Sequence, residues 1–129
     1  MNFNVNFQKA KRNYMVLTFD DKKTVDGKTV EYERVLHVGM PKKRLFSAIM
    51  DMQEVMEQSR QSQTAKEKRE SNDRMIDELY DLTAKILSNN MTNEQITSEW
   101  VDEQLSLGEI KSFFEQYVKF ISGEASSPN

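Results

Sequence analysis

The sequence predicts an α+β fold that is mainly α: a small N-terminal β-hairpin packed on a bundle of three to four helices. Three observations predict it. Residues 13–38 are rich in β-forming side chains around an Asp26-Gly27 turn signal. From Pro41 onward, apolar residues recur at helical rather than alternating spacing. Two helix-opening patterns, Thr92 to Gln95 and Ser106 to Glu109, then divide the C-terminal part.

Composition narrows the possibilities. A chain of 129 residues makes one domain of ordinary size. It is 37% hydrophobic and 30% charged, polar for a globular domain, yet 9% aromatic residues and regular apolar stripes argue for a modest core rather than disorder. The absence of cysteine excludes disulfides, thiolate zinc sites and cysteine nucleophiles, and fits a reducing compartment. No apolar run approaches the roughly 20 residues that span a bilayer. The first residues, Met1 to Phe7, lack a charged segment followed by an apolar one, so a signal peptide is not expected. Charge is unevenly spread. Residues 1–46 carry ten Lys/Arg against five Asp/Glu, and residues 47–129 carry eight against sixteen. That polarity suits head-to-tail self-association or docking on a charged partner. Nucleic acid is not an expected partner, because phosphate contacts need clustered Lys/Arg and the helical part is acidic.

In chain order, Phe3, Val5 and Phe7 alternate ahead of Lys9, Lys11 and Arg12, which fits a short edge strand or a loose arm. Tyr14 to Phe19 is the first hairpin strand, and Asp20 to Lys23 reads as turn material along with Asp26-Gly27-Lys28. Val30, Tyr32, Leu36 and Val38 share one parity of the second strand, which Arg34 interrupts. A helix over 41–58 starts with Pro41 in its first position. Leu45, Ile49, Met52 and Met56 make its apolar stripe, widened by Phe46 and Val55, and the later helices are expected to pack on it. Residues 57–72 contain no large apolar side chain and read as a polar mobile linker or a helical arm. A second helix over 73–89 carries Met75, Ile76, Leu79, Leu82, Ile86 and Leu87, and Ser88-Asn89-Asn90 ends it. The Thr92 pattern opens a short segment, with Thr97 or Ser98 as alternative caps, and a helix over 97–105 bears Ile96, Trp100, Val101 and Leu105 on or beside it. The last, over 107–122, bears Ile110, Phe113, Phe114, Tyr117, Val118 and Ile121 until Gly123 stops it. Residues 123–129 are expected to form a disordered tail.

No pattern of residues carries chemistry. His37 is the sole histidine, without partners for a metal site or a nucleophilic triad. Four glycines leave little material for a phosphate loop. The acidic residues around Gly27 lack calcium-loop spacing. Helical carboxylates such as Asp51, Glu54, Asp77 and Asp81 form solvated faces, with no pair singled out for acid–base work. Catalytic residues, cofactors and metals are therefore not expected. The eight methionines are more informative. Met40, Met50, Met52 and Met56 cluster about the first helix, and methionine suits either core filling or a surface that accepts varied apolar partners. Phe114 and Phe120 pose the same choice on the last helix, Phe120 lying off the main face. The candidate protein-binding residues are thus Met50, Met52, Met56, Phe114 and Phe120, offering a groove to an apolar helix of another protein.

Val35-Leu36-His37-Val38 followed by Met40-Pro41-Lys42-Lys43-Arg44-Leu45-Phe46 resembles the strand, Pro-turn and Leu-Phe helix of the tail assembly chaperones of long-tailed phages and prophages of Gram-positive bacteria. Asp77 to Asn90 looks like that family's second block, and Thr97 onward, into Leu107-Gly108-Glu109-Ile110-Lys111-Ser112-Phe113-Phe114, is similar to its closing helices. The likeness covers roughly residues 14–122 and consists of packing patterns. It implies a non-enzymatic protein of the host cytoplasm, absent from the mature virion, that binds the tape measure protein. Such a protein keeps that long apolar helix soluble while tail tube subunits polymerise around it. Many members are also made in a frameshift-extended form. Two other readings remain open at this point: a structural tail or virion component, and a generic helical adaptor.

Overall fold

The computed structural model describes residues 14–58 and 65–123, with residues 65–71 described by their backbone alone. The elements are β1 (Met15–Val25), β2 (Lys28–Val38), α1 (Lys43–Gln58), α2 (Ala65–Ser88), α3 (Ser98–Gln104) and α4 (Leu107–Ile121). The architecture is α+β and mainly α, an antiparallel hairpin against four helices. The expectations for residues 1–12, for residues 59–64 of the 57–72 linker and for the tail beyond Gly123 lie outside the described residues.

The hairpin closes at Asp26 and Gly27, both with positive φ (51° and 77°), the two-residue turn whose twist matches its strands. Asp20 to Lys23 belong to β1 and are not turn residues, because the pairing runs unbroken from Met15↔Val38 to Val25↔Lys28. The inward parity is Met15, Leu17, Phe19 and Asp21 on β1, opposite Val38, Leu36, Arg34 and Tyr32. Only the proximal half of that face is covered. Leu36 and Val38 are fully buried, whereas residues 22–31 all stand in solvent. The hairpin therefore projects beyond the helices.

Arg34, which breaks the apolar parity in sequence, does point inward, and its charge is matched there. It pairs with Asp21 at 3.3 Å and Glu94 at 3.1 Å, and its guanidinium lies 5.0 Å over the Trp100 ring. Trp100 donates from Nε1 to Asp21 at 2.9 Å and meets Phe19 edge-on at 4.9 Å. The ionic cluster thus ties both strands to α3 and the loop before it.

Pro41 stands two residues ahead of α1. The first helical hydrogen bond runs from the Phe46 N–H to the Lys42 carbonyl, so Lys42 is the cap and Lys43 the first helical residue. Helix α2 begins at Ala65, within the stretch devoid of apolar side chains, well before residue 73. It also replaces α1 as the organising element. Its buried residues Met75, Leu79, Leu82, Thr83, Ala84, Ile86 and Leu87 span about 200° of its circumference at 100° per residue. Only Ile49 and Met52 are buried on α1. Accordingly α1, α3, α4 and β2 all pack on α2.

After α2 the chain crosses beside the end of β2. Val38 and Asn90 form an antiparallel bridge, with Gly39 N–H to Asn89 O and Met91 N–H to His37 O, both at 3.0 Å. The buried Asn90 side chain donates to the Leu87 and Glu94 carbonyls and accepts from the Thr92 and Glu94 N–H groups. The left-handed residue is Asn93 (φ 57°) rather than Asn89 or Asn90. Thr92 opens no helix, because its hydroxyl is engaged with Asn90 and Glu94. Of the two alternative caps, Thr97 is the one that opens α3. Ser106 and Glu109 complete a reciprocal capping box on α4, and Gly123 (φ 81°) follows its last turn.

Candidate functional site

The helices α1 and α4 pack on the same neighbour, α2, and leave a groove between themselves. Its volume is about 760 Å³. The lining falls into an apolar floor and a charged rim. Met50 and Met56 on α1 face Phe114 and Val118 on α4, and Glu54, Glu57, Glu115, Lys119, Gln53 and Ser122 surround them. Among the described residues the rim carries three carboxylates and one ammonium group, which favours a cationic ligand.

Helical geometry explains the two walls. On α4, Phe114 and Val118 are one turn apart, and Ser122 continues the same line. On α1, Met50 and Met56 are half-buried beside the buried Ile49 and Met52. Behind the floor stands Tyr117, fully buried, its ring stacked on Phe113 at 5.9 Å. Its hydroxyl donates to the Gly39 carbonyl at 2.9 Å, and burial pushes that hydroxyl up to about 12, partly offset by the Asn89 side chain. Tyr117 makes the α4 wall stiff, while the α1 wall consists of methionines with three rotatable bonds each.

Of the five candidate residues, the structure brings Met50, Met56 and Phe114 together. Phe114 lines the groove yet is only 2% exposed, so it belongs to the core as much as to the site. Met52 does not join them. At 100° per residue it lies about 160° around α1 from Met50, 4% exposed, facing a separate cleft against α2 beside Leu82. Phe120 is no exposed anchor: it is partly buried against the core, its ring 5.9 Å from that of Tyr117. Val118, Glu54, Glu57 and Glu115 were absent from the expected set. The i, i+4 spacing from Phe114 to Val118 was the available signal for one of them.

The Arg34 cluster offers no comparable opening. Burial acts to raise the Asp21 carboxyl, but the Lys22 N–H, the Trp100 indole and the Arg34 guanidinium outweigh it and hold the carboxyl below its usual range. The Thr92 hydroxyl, then Arg34, lower Glu94 despite burial. Each carboxylate is thus engaged in holding the fold together. Among the described residues, no group of three or more His, Asp or Glu side chains is arranged to hold a metal ion. None of the described helices is long and apolar enough to cross a membrane. Comparison with protein-family models, with curated proteins and with solved structures finds no match.

Proposed function

We propose that this protein is a phage tail assembly chaperone that holds apolar helical segments of the tape measure protein. The observation that carries the proposal is the groove between α1 and α4, with its methionine wall, rigid aromatic wall and polar rim. Its α4 side, from Phe114 to Ser122, is about 12 Å long at 1.5 Å per residue, enough for roughly two turns of a bound helix. Methionine side chains re-pack around different apolar shapes, which a long client with many non-identical turns requires. The resemblance of residues 14–122 to the tail assembly chaperones supplies the identity of that client and of the tail tube protein recruited to it. In this reading the protein is not an enzyme, acts in the host cytoplasm and leaves before the virion matures. A frameshift-extended form and self-association belong to the same proposal, the latter through the opposed charge of the N- and C-terminal parts.

The projecting hairpin favours a second reading. Strands of eleven residues whose distal halves stand in solvent present backbone groups that a neighbouring subunit can pair with. A tail component that remains in the particle would use them so. One experiment separates the readings: a tagged pull-down from phage-producing cells with mass spectrometry, alongside analysis of purified particles. Recovery of the tape measure protein, with the bait missing from particles, is the expected result. Bait inside virions, bound to tail or connector proteins, refutes the chaperone reading.

A further inference from the structure

Residues 1–13 lie outside the described residues, and the proposed function leaves their pattern unused. Phe3, Val5 and Phe7 alternate with Asn2, Asn4 and Asn6, and Lys9, Lys11 and Arg12 follow, with no acidic residue among the thirteen. This is the chemical complement of the groove, which sets Glu54, Glu57 and Glu115 around Met50, Met56, Phe114 and Val118. We propose that residues 3–12 of the same chain occupy the groove between α1 and α4, so that a client must displace them. The inference rests on the groove being a docking surface, and not on the identity of the client.

Three arguments carry it. The first is charge. Three cationic side chains meet a rim whose described residues carry three carboxylates and the Lys119 ammonium group. The second is length. Alternation places Phe3, Val5 and Phe7 on one side of an extended chain, about 13 Å from first to last at 3.3 Å per residue. The α4 wall from Phe114 to Ser122 is about 12 Å long. The third is reach. The Tyr14 ring lies beside Gly39, whose carbonyl accepts the hydroxyl of Tyr117, a close neighbour of Phe114 and Val118 on α4. The seven residues from Phe7 to Tyr14 can span up to about 23 Å. The tether also raises the effective concentration of the segment to the order of millimolar, so weak contacts suffice, and a client can still compete. A client segment with more apolar surface competes with residues 3–12 for the same groove.

The test uses the full chain. Because the sequence has no cysteine, Asn6→Cys introduces a single attachment point for a nitroxide spin label. Methionine methyl groups are labelled with carbon-13, and the Met50 and Met56 signals are followed in dilute samples. The expected result is loss of both signals, with recovery when Phe3→Ser, Val5→Ser and Phe7→Ser are combined in the spin-labelled chain. Unchanged Met50 and Met56 signals overturn the proposal. So does loss that appears equally when a spin-labelled chain without carbon-13 is mixed with a cysteine-free, carbon-13-labelled chain, since the occupant is then a second copy. Capture of the tape measure protein is read separately by pull-down, so a negative result here leaves that reading standing.

Discussion

Replacing Asp21 by Asn tests whether the ionic cluster under the hairpin holds the fold together. The carboxylate receives donors on both oxygens. Oδ2 takes Trp100 Nε1 at 2.9 Å and Arg34 at 3.3 Å, while Oδ1 takes the Lys22 N–H at 2.8 Å. Asparagine offers one acceptor and one amide, so either orientation turns an N–H₂ group toward an existing donor. The charge-assisted bond to Arg34 contributes about 1.5 kcal/mol, at the low end because it is long and its partners are 16% and 15% exposed. The donor left unpaired adds about 1 kcal/mol. Asp21→Asn should therefore destabilise the protein by about 2–3 kcal/mol, lowering Tm by roughly 10 °C for a domain of this size. Urea titration gives the first number and calorimetry the second. The partner variant Arg34→Met removes the same pair from the other side. The double variant should lose less than the sum of the two singles, by about 1 kcal/mol, since neither charge is left alone. A loss below about 0.5 kcal/mol for Asp21→Asn, or additivity within about 0.3 kcal/mol, would refute the reasoning.

The same cluster sets the acid limb of stability. Asp21 and Glu94 have depressed native values, so they release protons more readily when folded. Their contribution is complete above the unfolded values near 3.8 and 4.5 and is lost as pH falls through the native ones. Urea midpoints should hold steady from pH 7 to 5 and decline below, with a shallower decline in Asp21→Asn. Tyr117 acts at the other end: its raised native value means stability falls between pH 10 and about 12, and Tyr117→Phe should abolish that step. Met50→Ser combined with Met56→Ser should weaken client capture by about tenfold while leaving the fold intact, as both side chains line the groove. Met52→Ala should do the reverse, costing about 2–4 kcal/mol of stability with capture per folded molecule unchanged.

Much of the molecule follows from local signals. Asp26-Gly27 specifies the hairpin turn because few other pairs adopt two successive positive φ angles. Ser106 and Glu109 specify the start of α4, since both partners of the capping box lie within one turn. Other assignments needed partners distant in sequence. Asp20 to Lys23 have turn-like composition, yet pairing with residues 30–33 extends the strand through them. Thr92 to Gln95 matches a capping box but opens no helix, because Asn90 captures the Thr92 hydroxyl and the Glu94 N–H. The candidate site divides in the same way. Met50 and Met52 are two residues apart and share a composition-based expectation, but helical geometry sends them to different sides of α1.

By itself the sequence determined the class of fold, the hairpin turn, the capping box of the last helix and which residues had enough apolar surface to be worth burying. Turn chemistry, capping and periodicity act within a few residues, so a single chain read in order displays them. Only the tertiary structure decided that α2 is the hub, that Arg34 points inward between Asp21 and Glu94, and that Met50, Met56, Phe114 and Val118 share a groove. Those outcomes depend on residues some 60 positions apart meeting in space. Burial and charge pairing are rewarded only once the whole set of helices has closed around its core.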